Sequence, residues 1–399
     1  MGLNELASGE RIHIAFFGMR NAGKSSVVNA LTGLDLSVVS DVKGTTTDPV
    51  KRSMELLPLG PVVIIDTPGL DDEGELGLKR VEKTKQIIAQ TDIAVLVIDA
   101  TIGLSDLDKT LLTTFETRKL PCIVVYNKSD LLPEIPNAVT GKSSSVVYVS
   151  SKTLFGINTL KESLGAFAGS IKQEKHLVAD LVKPKSIVIL VIPIDESAPK
   201  GRIIMPQQIA IRDLLDSHCV PICCQVDELK AVLDSLKEPP ALVITDSQAF
   251  KRVSEIVPED LPLTSFSILM ARYKGEFQLL MAGASALKNL KDGDRVLIAE
   301  GCVHHRQCND IGSKKIPSWL ENYSGAKPEY VFTSGNDFPS DLSLYKLIIH
   351  CGGCMLNEIE MKHRIARANE SGVPIVNYGM AIAQFNGILA RSLKALSNF

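Results

Sequence analysis

Residues 18–26, "GMRNAGKSS", fit the phosphate-binding pattern G-x-x-x-x-G-K-[ST] through Gly18, Gly23, Lys24 and Ser25. The stretch follows an apolar run, "RIHIAFFG", and opens a helical one. A glycine-hinged loop at a helix N-terminus wraps backbone amides around phosphate, and the strand–loop–helix context gives the pattern its meaning. Lys24 is then placed to reach β/γ oxygens and the Ser25 hydroxyl to ligate magnesium, with Ala22 and Ser26 completing the loop. The first part of the chain is thereby committed to an α/β fold.

Further motifs follow in order. "DTPG" ends a second apolar run and offers Asp66 to magnesium through water and Gly69 to a γ-phosphate. "NKSD", residues 127–130, ends a later run. Asp130 there can accept from the N1–H and N2 amine of guanine, which adenine lacks, and Asn127 and Lys128 flank it. "SSK", Ser150, Ser151 and Lys152, can present an amide to guanine O6. Between the first two lies "KGTTTDP". Together these elements resemble the translation-factor-related GTPases, and the implied ligands are GTP, GDP and magnesium. Similarity to "GTTRD" loops selects Thr46 over Thr45 as the magnesium threonine. Leu70 stands where many small GTPases carry a water-orienting Gln; the acidic run Asp71, Asp72, Glu73, Glu75 is a weak substitute. Asn21 with "GTTTD" resembles the potassium-activated GTPases of tRNA modification and ribosome assembly. In them an Asn at this position ligates a potassium ion that supplies the charge of an arginine finger.

At 399 residues the chain exceeds one ordinary core. Apolar runs alternating with helical stretches predict a parallel sheet covered on both faces over residues 1–173. Two further α/β blocks are expected, residues 178–265 and 266–399. The last is Rossmann- or flavodoxin-like with a metal-cluster site at strand C-terminal ends. A net charge of −3 leaves no polycationic surface, so no nucleic-acid partner is expected. The longest apolar run, Ser186 to Ile194, is strand-sized, so no membrane partner is expected either. "MGLNELASGE" lacks an apolar signal core, and Leu6 stands where a myristoylation signal needs Ser or Thr. The expected location is cytoplasmic.

Eight cysteines make no disulfide scaffold in a chain of this length, yet four fall between residues 302 and 354. "EGCVHHRQCNDIG", residues 300–312, follows the run "DRVLIAE", and "YKLIIHCGGC", residues 345–354, ends another. Ligands in an open parallel sheet collect at the carboxyl ends of strands. Two adjacent strand ends would therefore bring Cys302, His304, His350, Cys351 and Cys354 together. A closed zinc site would take Cys302, His304, Cys351 and Cys354. An iron–sulfur site would take the three thiolates and leave one iron open or weakly held, with Cys308 and Asp310 nearby. Cys122, Cys219, Cys223 and Cys224 lie in strand or helix patterns and read as structural.

Cys-x-His, about 45 residues, then His-Cys-x-x-Cys, behind an N-terminal GTPase, resembles the maturation GTPase of iron-only (FeFe) hydrogenase, the HydF family. The resemblance covers the whole chain. It implies a dimerising middle domain, hence a homodimer, and a last domain holding a 4Fe-4S cluster on Cys302, Cys351 and Cys354. It also implies a GTP-hydrolysing scaffold that receives a diiron subcluster from two radical-SAM hydrogenase maturases. The apo FeFe-hydrogenase is the implied recipient. The alternative is a potassium-activated ribosome- or tRNA-associated GTPase with a structural zinc site, but no basic RNA-binding segment accompanies the motifs.

Overall fold

The computed structural model describes residues 8–33, 49–69, 84–137, 139–140, 144–171, 175–194, 201, 203–301, 310–335 and 337–396. The chain divides into two compact units, Met1–Glu174 and Lys175–Phe399.

In the first unit, β1 (Ile12–Phe17), β3 (Gly60–Asp66), β4 (Ile93–Asp99), β5 (Cys122–Asn127) and β7 (Ser144–Tyr148) run parallel. β2 (Val50–Leu56) and β6 (Val139–Thr140) close the two edges antiparallel, giving the order β2-β3-β1-β4-β5-β7-β6. Strand side chains alternate between faces, and each face has its own core. Ile14, Phe16, Val95 and Val97 pack with the helices Lys24–Thr32 and Ile157–Ile171. Ala15, Phe17, Leu96 and Ile98 pack with Leu111 and Phe115 of the helix Asp106–Thr117. That helix begins at a reciprocal cap between Ser105 and Asp108. A sheet buried on both faces explains why β1 and β4 read as unbroken apolar runs.

The second unit holds two four-stranded parallel sheets over one shared core. β8 (Ile187–Val191), β9 (Val220–Cys224), β10 (Leu242–Thr245) and β11 (Leu263–Ser265) take the order β11-β10-β8-β9. β12 (Arg295–Glu300), β13 (Glu329–Ser334), β14 (Leu347–His350) and β15 (Ile375–Asn377) take the order β13-β12-β14-β15. Reversing the first order gives β9-β8-β10-β11, so the two sheets repeat one topology without repeating a sequence. In each, the chain starts in the middle, steps to one side and then crosses to the other. The crossing in the third sheet puts β12 directly against β14, with Ala299 paired to His350. Among the described residues no helix is long and apolar enough to cross a membrane.

Candidate functional site

The phosphate loop leaves β1 at Gly18, whose φ of 138° only glycine adopts readily. A Cβ there would meet the Val97 carbonyl at 2.1 Å. Gly23, at φ 87°, caps the first helix, and a Cβ would meet Asn127 Nδ2 at 2.3 Å. Asn21 takes the left-handed conformation between them and is exposed, as is Ser26. Lys24 is buried, and its ammonium donates to the carbonyls of Gly18 at 3.1 Å and Met19 at 2.9 Å. The loop thus holds its cation centrally before any phosphate arrives.

Ser25 Oγ donates to Asp66 Oδ2 at 2.5 Å. Burial raises the Asp66 carboxyl above its usual range, against the Ser25 hydrogen bond and the Lys24 charge. Its Oδ1 is buried with no hydrogen-bond partner among the described residues. A desolvated carboxylate with an orphaned oxygen beside a serine hydroxyl is a donor set that magnesium satisfies. Gly69 lies against the phosphate loop, where a Cβ would be 2.9 Å from Arg20 Cα. Thr46, Leu70 and the acidic run Asp71, Asp72, Glu73 and Glu75 lie outside the described residues.

Asn127 joins the base-reading motifs to the phosphate loop. Its Nδ2 donates to the Ala22 carbonyl and its Oδ1 accepts from the Ser151 amide, each at 3.1 Å. Ser150 is buried, and its Oγ accepts from the Thr153 amide, shaping the loop that carries Lys152. Lys128, at φ 63°, donates to Asp99 Oδ2 at 2.5 Å, a partner no motif had flagged. Asp130 is exposed at the same strand end, free to face a base. Asp130→Asn is expected to weaken GTP about 10–100-fold, the value of a lost charged hydrogen bond, and to favour xanthosine triphosphate. Competition binding of the two nucleotides checks this, and unchanged GTP affinity would refute the role.

In the second unit the end of β12, one residue before Cys302, lies against the cysteine turn that follows β14. The Cys351 amide donates to the Ala299 carbonyl at 2.9 Å. Gly301, the residue before Cys302, donates its amide to Cys351 Sγ at 3.0 Å, and Gly353 does so at 3.4 Å. Gly353 sits at φ 64°, so the "CGGC" turn uses glycine freedom to bring that amide round. Burial and the neighbouring Cys354 push the Cys351 thiol up to about 11. Two amides aimed at a thiol that burial keeps protonated suit a sulfur that becomes thiolate on binding a metal. The buried Lys274 secures the turn by donating to the carbonyls of Cys354 and Leu356, at 3.3 and 2.8 Å. Cys302, His304 and Cys308 lie outside the described residues, and Asp310 caps the turn ahead of the helix Ile316–Ser324.

His350 is fully buried with both ring nitrogens engaged. Nδ1 lies 2.8 Å from the Cys351 carbonyl and Nε2 lies 3.2 Å from Arg364 Nη1. A guanidinium only donates, so Nε2 accepts and Nδ1 carries the proton. Arg364, 1% exposed, also donates to Glu360 Oε1 and the Gly335 carbonyl, each at 2.7 Å, and lies over the Phe338 ring. This network orients the cysteine turn, and neither His350 nitrogen is left for iron. Burial, then the Arg364 charge, lowers the His350 pKa to about 3. The unfolded chain takes up that proton below about 6.5 while the folded chain refuses it. Stability is therefore lost as pH falls from about 6.5 toward 3, by up to about 1.4 kcal/mol per pH unit from this group. Denaturant unfolding of the parent and a His350→Asn variant across that range checks it; identical slopes would contradict the assignment.

Cys122, Cys219 and Cys224 are buried free thiols and Cys223 is an exposed one. Burial pushes Cys122 up to about 12 and Cys224 up to about 11. Such thiols are inert at neutral pH.

Three family models match the chain. Residues 13–128 match the 50S ribosome-binding GTPase model, residues 177–275 the Hydrogen maturase F dimerization domain and residues 278–395 the Hydrogen maturase F tetramerization domain. Curated relatives include the GTPase Der of Kosmotoga olearia, 36% identical over 177 residues, 41% of this chain and 40% of that protein. The tRNA modification GTPase MnmE of Nitrosomonas europaea is 34% identical over 161 residues, 40% of this chain and 35% of that protein. The chain thus spans well under half the length of these relatives. Similar solved structures include a probable GTP-binding protein engB, with a TM-score of 0.33 and 22% identity over 40% of this chain and 99% of that one. The G domain of the T. maritima FeoB iron transporter gives a TM-score of 0.30 and 24% identity over 40% of this chain and 99% of that one.

Proposed function

The chain belongs to the hydrogen maturase F family, and from that premise we propose a GTP-hydrolysing scaffold that carries the diiron subcluster of FeFe-hydrogenase. In this reading residues 1–173 bind and hydrolyse GTP, residues 178–265 build a homodimer in the cytoplasm and residues 266–399 hold the iron–sulfur cluster. Cys302, Cys351 and Cys354 hold three irons of a 4Fe-4S cluster. The observation that carries the reading is the contact between Gly301 N–H and Cys351 Sγ, which brings the residue before Cys302 to the second cysteine motif. Bound there, such a cluster offers an iron without a thiolate, to which a fragment can attach and from which it can leave. The amides of Gly301 and Gly353 would stabilise the Cys351 thiolate once a metal displaces its proton, and the Arg364–His350 pair holds the turn. The relatives GTPase Der and tRNA modification GTPase MnmE cover only the GTPase part, so they speak to nucleotide chemistry and not to the cysteine site.

On the nucleotide side Ser25 and Thr46, with Asp66 through water, would hold a magnesium ion that would supply positive charge at the phosphates, and Lys24 neutralises charge that develops on the transferring phosphoryl group. Asn21 holds potassium beside it. Hydrolysis is expected to run at least about tenfold faster in potassium than in sodium at equal ionic strength, since one well-placed charge is worth that much. Asn21→Ala should remove the difference; equal parental rates in the two salts would exclude the ion. The carrier role is tested by exposing the chain to the two radical-SAM maturases, re-isolating it and adding it to apo-hydrogenase. Hydrogenase activity should appear with the parent and fail with Cys351→Ser, and equal activation by both would refute the role.

A further inference from the structure

The repeated topology of the second unit raises a question about its other sheet. In an open parallel sheet ligands bind beyond the carboxyl ends of strands where the order reverses. In the sheet β13-β12-β14-β15 that position holds the cysteine turn. In the sheet β11-β10-β8-β9 the equivalent loop after the crossing strand is Asp246–Ala249, following β10. Asp246 is held there by Gln207, whose Nε2 donates to Asp246 Oδ2 at 2.7 Å. Next to this loop lies a cavity of about 570 Å³, a volume typical of small-ligand sites.

Its lining includes Ser247, Lys251 and Arg252 from the stretch after β10, and Trp319, Tyr323 and Phe385 from two later helices. Ser247 Oγ is buried and has no hydrogen-bond partner among the described residues, a state that costs free energy unless a ligand supplies one. Arg252 meets Asp227 at 2.7 Å, but both are largely exposed, so the pair is weak and exchangeable. Lys251 is exposed beside it. In the same lining the Tyr323 and Phe385 rings pack 5.4 Å apart, and Gln384 Nε2 fixes Tyr323 by donating to its hydroxyl. Aromatic rings facing cations select a flat ring bearing negative charge.

We propose that this cavity binds a ring-bearing organic anion: an aromatic or heteroaromatic ring against Trp319, Tyr323 and Phe385, with a carboxylate or phosphate toward Lys251, Arg252 and the Ser247 hydroxyl. The site is independent of the cysteines and of the carrier reading.

Trp319 is the chain's single tryptophan and reports on the cavity directly. Full-length chain is titrated with adenosine monophosphate, which the guanine-reading motif excludes, with 4-hydroxybenzoate and with inorganic phosphate. Fluorescence and calorimetry are followed together. Saturable change with either ring anion, and none with inorganic phosphate, is the expected result. Ser247→Ala and Arg252→Gln should each weaken binding roughly fivefold or more. Trp319→Phe should keep the calorimetric signal while losing the fluorescent one, which guards against reading misfolding as lost binding. Silence with both ring anions at millimolar concentration, binding indifferent to the Ser247 and Arg252 changes, or equal binding of inorganic phosphate would each overturn the proposal.

Discussion

Exchange of Cys351 for serine is expected to abolish the reducible 4Fe-4S cluster while GTP hydrolysis stays near the parental rate. Cys351 Sγ is the meeting point of the cysteine site. It accepts from Gly301 at the end of β12 and from Gly353 inside its own turn. A serine oxygen is a harder and less readily ionised ligand, and iron in these clusters is held by soft thiolate. Cys302→Ser and Cys354→Ser should behave alike, because three thiolates are the smallest set that holds the cluster. His350→Ala should behave differently. Both its ring nitrogens are engaged by Arg364 and the Cys351 carbonyl, so its loss loosens the turn and alters the spectrum without removing iron. A zinc site would reverse the pattern at His304, whose loss would then cost metal as heavily as loss of a cysteine. Iron and sulfide content of reconstituted variants separates the two cases.

Lys24→Ala should lower GTP hydrolysis on the order of 10²–10³-fold or more, the range for removing one group aimed at developing charge. The ammonium is already fixed in the loop by two carbonyls, those of Gly18 and Met19. Bound iron should stay at the parental level, because the cysteines belong to a different compact unit. A variant that loses hydrolysis and iron together would point to one shared site.

The nucleotide site was legible because its residues are contiguous in short motifs. The turn "GMRNAGKSS", the end of β3 and "NKSD" each carry their chemistry within a few positions. The tie made by Asn127 between Ala22 and Ser151 was not, since those partners are distant in sequence. The parallel strands announced themselves as Val/Ile runs. β2 escaped: most of Val50–Leu56 is exposed at a sheet edge, so its apolar residues form no continuous run. β11 is three residues long and too short to show a period. The strand-end rule predicted that the two cysteine motifs converge; the structure pairs β12 with β14, and Cys302 and His304 lie outside the described residues. Arg364 could not have been found in this way. In "NEIEMKHRIARANE" it reads as one more charge on a polar helix face, and its burial depends on Glu360, Gly335, His350 and Phe338 arriving together. The topological repeat was equally hidden, because the two sheets share strand order and no sequence period.

The carrier reading stands or falls on whether Cys302, Cys351 and Cys354 hold a 4Fe-4S cluster. Chain purified without oxygen should be brown, contain about four iron and four sulfide per chain, and give the electron paramagnetic resonance of a 4Fe-4S cluster on reduction. Stoichiometric zinc, a colourless protein and no reducible cluster would contradict it.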